Sequence, residues 1–208
     1  QNPNGAYNFY EDAIKFCHKV YAQHMAFYEA KHNGSDWLIW LDADSVTYNP
    51  ITVELLDEAH KIDEELGELP DLTFLGRKNA YATCSSYIGY CTTSPVTQVF
   101  IEDFINYYNS DEVLALRSFA DNFVFDRLRT LHEVHGMVTR DFTPDCNDLD
   151  AFELSPLGNH IVHLKGNKKY GSTQYVGKNI DGTRYHDLCR TVQHYKRKNI
   201  LEIGTWNG

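Results

Sequence analysis

The stretch from Asp36 to Asp44, Asp-Trp-Leu-Ile-Trp-Leu-Asp-Ala-Asp, constrains this chain more than any other. An unbroken apolar run, Trp37 to Leu41, ends in two acids one residue apart, and Ser45 to Pro50 then turn the chain toward a new helical pattern. A short apolar run rich in strand-forming residues and closed by turn residues reads as a buried strand. If the strand continues past Leu41, alternation sends Asp42 and Asp44 to the same side. Two carboxylates converging at a strand's carboxyl end repel one another unless a cation lies between them. In open α/β sheets that edge is also where ligands bind. The pattern predicts a divalent-metal site; the plainer reading is a polar exit from the strand, with one Asp capping the next helix.

At 208 residues the chain can bury one sizeable core. A formal charge of -10 argues against a nucleic-acid partner held by phosphate contacts. It leaves room for a phosphate-bearing small molecule, because a bound metal and a few lysines reverse the local field. No stretch reaches transmembrane length and no signal peptide opens the chain. The five cysteines, Cys17, Cys84, Cys91, Cys146 and Cys189, form no CxxC pair and read as reduced thiols of a cytoplasmic protein. Asn33-Gly34-Ser35 fits a glycosylation acceptor, a pattern too short to carry weight.

Helical spacing runs from Ala13 to His32, with Ile14, Cys17, Val20, Tyr21, His24, Met25 and Tyr28 as its apolar stripe and Asn33-Gly34 as its stop. Further helices are expected over Ile51 to Leu66, Pro95 to Tyr108 (Pro at the first turn), Asp121 to Leu131 and His186 to Arg197. Strands are expected at Leu72 to Leu75, Ala82 to Tyr90, Asn159 to Leu164 and Ile200 to Ile203, with a mobile Gly- and Lys-rich loop over Lys165 to Lys178. Strands alternating with helices predict an α/β fold with a mixed, mainly parallel sheet flanked by helices. There is no internal repeat. The chain opens on a long helix and stops just after a strand, so both ends look cut.

The best partner for the acids is Val162-His163-Leu164-Lys165-Gly166-Asn167-Lys168-Lys169. His163 ends an apolar strand, where a neutral imidazole can ligate a metal. Gly166 would let backbone approach a ligand closely, and Lys169 could neutralise phosphate oxygens. Taken alone, His163 reads as a core histidine and the lysines as a solvated loop. Combined with Asp42 and Asp44, they predict a metal-diphosphate site.

Asp-x-Asp after an apolar strand, with a later His-x-x-Gly-x-x-Lys, resembles the nucleotide-sugar glycosyltransferases of the GT-A fold, closest to the glycogenin and galactosyltransferase-like groups. The similarity covers about Tyr7 to Lys169. It implies that Asp42, Asp44 and His163 hold Mn²⁺ or Mg²⁺ bridging the diphosphate of a UDP- or GDP-linked donor, with Lys169 and Gly166 beside it. It further implies a glycan, lipid or small-molecule acceptor. The chain departs from the glycogenin-type pattern after Lys169, where Tyr170 and Gly171 replace Pro-Trp. It also lacks the strand that such enzymes place ahead of the long helix. Residues 1–198 are therefore expected to form a GT-A-like domain without its first strand unit. Residues 199–208 resemble the first motif of class I S-adenosylmethionine-dependent methyltransferases, matched by Glu202, Gly204 and Gly208, and would begin a truncated second domain. A catalytically inactive sugar-nucleotide-binding or structural remnant is the alternative of another class.

An inverting transfer needs a general base. Asp121 opens a helix where family members often carry an acid near the acceptor; a plain N-cap is the other reading. Ser85, Ser86 and Tyr87 either line the acceptor side or pack in the core, and Arg77 and Lys78 either touch phosphates or are exposed loop charge. Asp42-Ala43-Asp44-Ser45-Val46 also fits the first motif of haloacid-dehalogenase-like phosphatases, with Asp42 as nucleophile and Asp145 to Asp150 as further acids. That motif usually opens its domain and runs on into Gly-Thr, which this one does not. His132-Glu133-Val134-His135 is one residue short of zinc-protease spacing and reads as a helix end.

Overall fold

The computed structural model of the protein describes residues 8, 11–62, 67–78, 82–147, 151–164 and 201–203. Helix α1 spans Ala13–His32 as expected, with the Asp12 side chain accepting from the Lys15 amide at its start. Its buried face, however, is Phe16, Val20, Gln23, Ala26, Phe27 and Ala30, while Ile14 and Met25 stand more than 70 % exposed at 73 % and 71 %. The expected stripe was out of phase. The polar Gln23 lies on the buried face, where its side-chain oxygen accepts from the Tyr90 hydroxyl at 2.9 Å, which offsets part of the cost of burying the amide.

Strand β1 (Trp37–Leu41) is apolar throughout because both its faces are covered. Leu38 and Trp40 enter a core layer with α1, α3 (Pro95–Asn109) and α4 (Asp121–Val134). Ile39 and Leu41 enter a second layer, with α5 (Ala151–Leu154), Cys146, Leu157 and Ile161, against which Leu55 and Leu56 of α2 (Val53–Ala59) also pack. Phe125 anchors the first layer, with its ring within 6.2 Å of Phe74, 5.6 Å of Phe100 and 6.1 Å of Phe104, centroid to centroid.

Among the described residues the main sheet has five strands in the order β5-β3-β4-β1-β7, formed by β3 (Leu72–Leu75), β4 (Cys84–Cys91), β5 (Thr139–Asp141) and β7 (Leu201–Ile203) beside β1. The expectation of a mainly parallel sheet needs correction. β4 occupies the centre reversed, so its ladders with β1 and β3 are antiparallel, and only β1–β7 and β3–β5 pair in parallel. The architecture is mixed α/β, with helices on the sheet. The terminal strand expected to open a second domain pairs with β1 in this same sheet, Trp40 opposite Glu202. The Glu202 side chain, Gly204 and Gly208 lie outside the described residues, as does the expected helix from His186 to Arg197.

A second, two-stranded sheet joins β2 (Ser45–Thr47) to β6 (Ile161–His163). Neither β2 nor β5 was expected, since three residues with little apolar content give no periodicity to read. Helix α2 is shorter than its pattern. His60 caps it at Ala59 and turns inward, its ring Nδ1 bonding the Leu56 carbonyl at 2.7 Å. The His-Glu-Val-His run is a helix end, with His135 as the C-cap of α4 and His132 paired with Asp103 at 3.0 Å. No helix among the described residues is long and apolar enough to cross a membrane.

Candidate functional site

β1 ends at Leu41, and the Asp42 amide makes one last bond to the Ser86 carbonyl at 3.0 Å. The chain then turns. The Ser45 amide bonds back to the Asp42 carbonyl at 2.9 Å, closing a turn that holds Asp44. The two acids converge through this turn, and not by continued strand alternation. β2 leaves the turn and pairs with β6, with Ser45 opposite His163, and the Leu164 amide bonds the Asp44 carbonyl at 2.9 Å. One ligand atom each from Asp42, Asp44 and His163 then lie within 4.8 Å of one another.

His163 Nε2 is 2.9 Å from Asp44 Oδ1. The imidazole is buried against the Phe152 ring and both acids are half-buried. Two carboxylates and one imidazole at this spacing form an oxygen-rich donor set that suits Mn²⁺ or Mg²⁺. The three residues fit such an ion.

The sequence reading missed the residue at the centre of the site. Lys19 reaches from α1 and places its ammonium 2.7 Å from Asp42 Oδ1 and 2.9 Å from Asp121 Oδ2. It also donates to the Ser85 carbonyl at 2.9 Å and to the Ser85 hydroxyl at 3.0 Å. Burial works against the charged amine, but Asp121 and Asp42 outweigh it and hold the ammonium well above the ordinary lysine range. The Trp40 indole donates to the same Asp42 oxygen at 3.0 Å, which fixes that carboxylate further. A signal was present: Lys19 lies one turn from Phe16 and one turn from Gln23, both on the buried face. A lysine there needs acids to receive it.

Asp121 is the first residue of α4 and 6 % exposed; the N-cap position is Ala120. The plain N-cap reading does not hold, since its carboxylate meets Lys19. Ser85 belongs to the site through Lys19, but Ser86 and Tyr87 belong to the core. Ser86 contacts Cys84 Sγ at 2.8 Å, and the Tyr87 hydroxyl meets His60 Nε2 at 2.8 Å. Arg77 donates to the Thr83 carbonyl at 2.9 Å, a carbonyl that Asn122 of α4 also bonds. Lys78 is exposed and paired with Asp145, itself on the surface, at 3.2 Å. Gly166 and Lys169 lie outside the described residues.

Asp42, Ser85 and Asp121 gather along one edge of the sheet, because β1 ends where the reversed β4 begins. At that edge the Asp42–Asp44–His163 cluster, the half-buried Lys19 ammonium and the Asp121 carboxylate stand side by side. Searches against family models, curated proteins and solved structures find no match for the chain.

Proposed function

We propose that the chain is a metal-dependent glycosyltransferase of GT-A type that moves a sugar from a UDP- or GDP-linked donor to a glycan, lipid or small-molecule acceptor. The convergence of Asp42, Asp44 and His163 within 4.8 Å is the observation that carries this reading. These residues would hold Mn²⁺ or Mg²⁺, which when bound supplies positive charge to the departing nucleoside diphosphate. Asp121 would accept the proton of the acceptor hydroxyl as that oxygen bonds to the sugar and the bond to the diphosphate breaks. Lys19 orients Asp121 from the side of α1. Lys169 is assigned to the diphosphate, with Gly166 allowing close backbone approach. Cys17, Cys84, Cys91 and Cys146 are free thiols, which supports a reducing, cytoplasmic setting.

Calorimetric titration of UDP and GDP, with and without Mn²⁺, on the wild type and Asp44→Ala tests the proposal. Metal-dependent binding that disappears in the variant is the expected result. No binding under any condition would overturn it. Binding without turnover of any donor would favour the inactive remnant. Hydrolysis of phosphomonoesters through an aspartyl-phosphate at Asp42 would make the chain a phosphatase.

A further inference from the structure

Lys19 has a consequence beyond holding Asp42 in place. Its ammonium is shared between Asp42, one of the three cation ligands, and Asp121, which is not one of them. A positive charge 2.7 Å from a ligand oxygen occupies part of the field that a cation needs. Lys19 also has somewhere to go, since Asp121 Oδ2 and both oxygens of Ser85 already lie within 3.0 Å of it.

We propose that Lys19 is a built-in competitor for the cation site: it neutralises Asp42 when no cation is bound and transfers to Asp121 when one binds. This rests on the metal reading given above. The device links two acids on different elements, the end of β1 and the start of α4, through one mobile charge. With its ammonium withdrawn toward Asp121 and Ser85, Lys19 leaves Asp42 to the cation. Occupancy of the cation site thereby sets how tightly Lys19 grips Asp121, and coupling of this kind is reciprocal.

Substitutions at Lys19 and at Asp121 should act on cation affinity with opposite signs. Lys19→Met removes the competitor and should tighten Mn²⁺ binding by about tenfold. Asp121→Asn removes the alternative partner, leaves the ammonium wholly on Asp42 and should weaken Mn²⁺ binding by about fivefold. In the Lys19→Met background, Asp121→Asn should have a much smaller effect, because the charge that transmits it is gone. Lys19→Arg keeps the charge and should retain wild-type affinity.

The experiment is calorimetric titration with Mn²⁺ alone on the wild type, these variants and Asp44→Ala, with circular dichroism to establish folding. Lys19→Gln replaces Lys19→Met should the latter not fold. Wild-type binding lost in Asp44→Ala, with no tightening in Lys19→Met, overturns the competitor and leaves the metal site standing. Equal effects of Asp121→Asn in both backgrounds also overturn it. No Mn²⁺ binding in the wild type or in any variant removes the competitor and the metal reading together.

Discussion

Asp44 Oδ1 meets His163 Nε2 at 2.9 Å across 119 positions of sequence. The contact brings a turn at the end of β1 and the last residue of β6 to one point. The antiparallel β2–β6 ladder fixes the geometry, since Ser45 and His163 are register partners. If the pair serves a cation, the ion should bind the folded protein and not the unfolded chain. Mn²⁺ at a hundredfold excess over its dissociation constant should then stabilise the wild type by about 2.7 kcal/mol. Thermal unfolding followed by circular dichroism should show that gain in the wild type and its loss in His163→Ala.

If Asp121 is the general base, its role is separable from cation binding. Asp121→Asn should keep donor binding within the range set by its effect on cation affinity, while transfer to acceptor falls about 10²- to 10⁴-fold. Single-turnover kinetics with a saturating donor measures this. An unchanged transfer rate would remove Asp121 from the chemistry.

His60, outside the Asp42–Asp44–His163 cluster, predicts a pH dependence of stability. Its Nε2 accepts from the Tyr87 hydroxyl, its Nδ1 donates to the Leu56 carbonyl, and the Tyr87 oxygen meets Thr73 Oγ1 at 3.0 Å. All three bonds suit the neutral ring. Burial pushes its pKa down to about 4. The unfolded chain binds a proton at this residue below about pH 6.5, while the folded protein resists it until about pH 4. The resulting stability is full above pH 6.5 and is lost as pH falls toward 4, by roughly 3 kcal/mol. Urea unfolding across that range should show the slope, reduced in His60→Gln.

Gly89 packs against the same network. A Cβ at this position would collide with Thr73 Oγ1 and come within 2.9 Å of His60 Nε2. Gly89→Ala should therefore cost about 2 kcal/mol, read from the denaturant midpoint.

Phe125 lies at the centre of the helical layer with no exposed surface. Phe125→Ala should cost about 4 kcal/mol in equilibrium unfolding, more than any exposed substitution on α4.

Where the sequence carried a strong period or an unbroken apolar run, it located the structure. Ala13 to His32 and Pro95 to Tyr108 read as helices to within a residue, and Trp37 to Leu41 read as a buried strand. The convergence of Asp42, Asp44 and His163 was also legible, from two acids closing an apolar strand and a histidine closing a later one. The strand stops at Leu41, so the condition for alternation is not met and a turn brings the acids together instead. The phase of α1 was misread because Ile14 and Met25 are apolar yet exposed, while Gln23 is polar yet buried. Lys19 was missed for the same cause: its burial depends on partners 23 and 102 positions away, at Asp42 and Asp121. The reversal of β4 left no mark in the sequence, because a strand covered on both faces has the same composition in either direction.

Among the described residues the β2–β6 ladder has three residue pairs and forms a sheet separate from the five-stranded one. Its integrity is recorded in backbone atoms: the Ser45 amide on the Asp42 carbonyl and the Leu164 amide on the Asp44 carbonyl. Both bonds end on carbonyls of the acids that define the site. Exchange of those two protons with deuterated solvent therefore clocks how often the site falls apart, in a method blind to side chains.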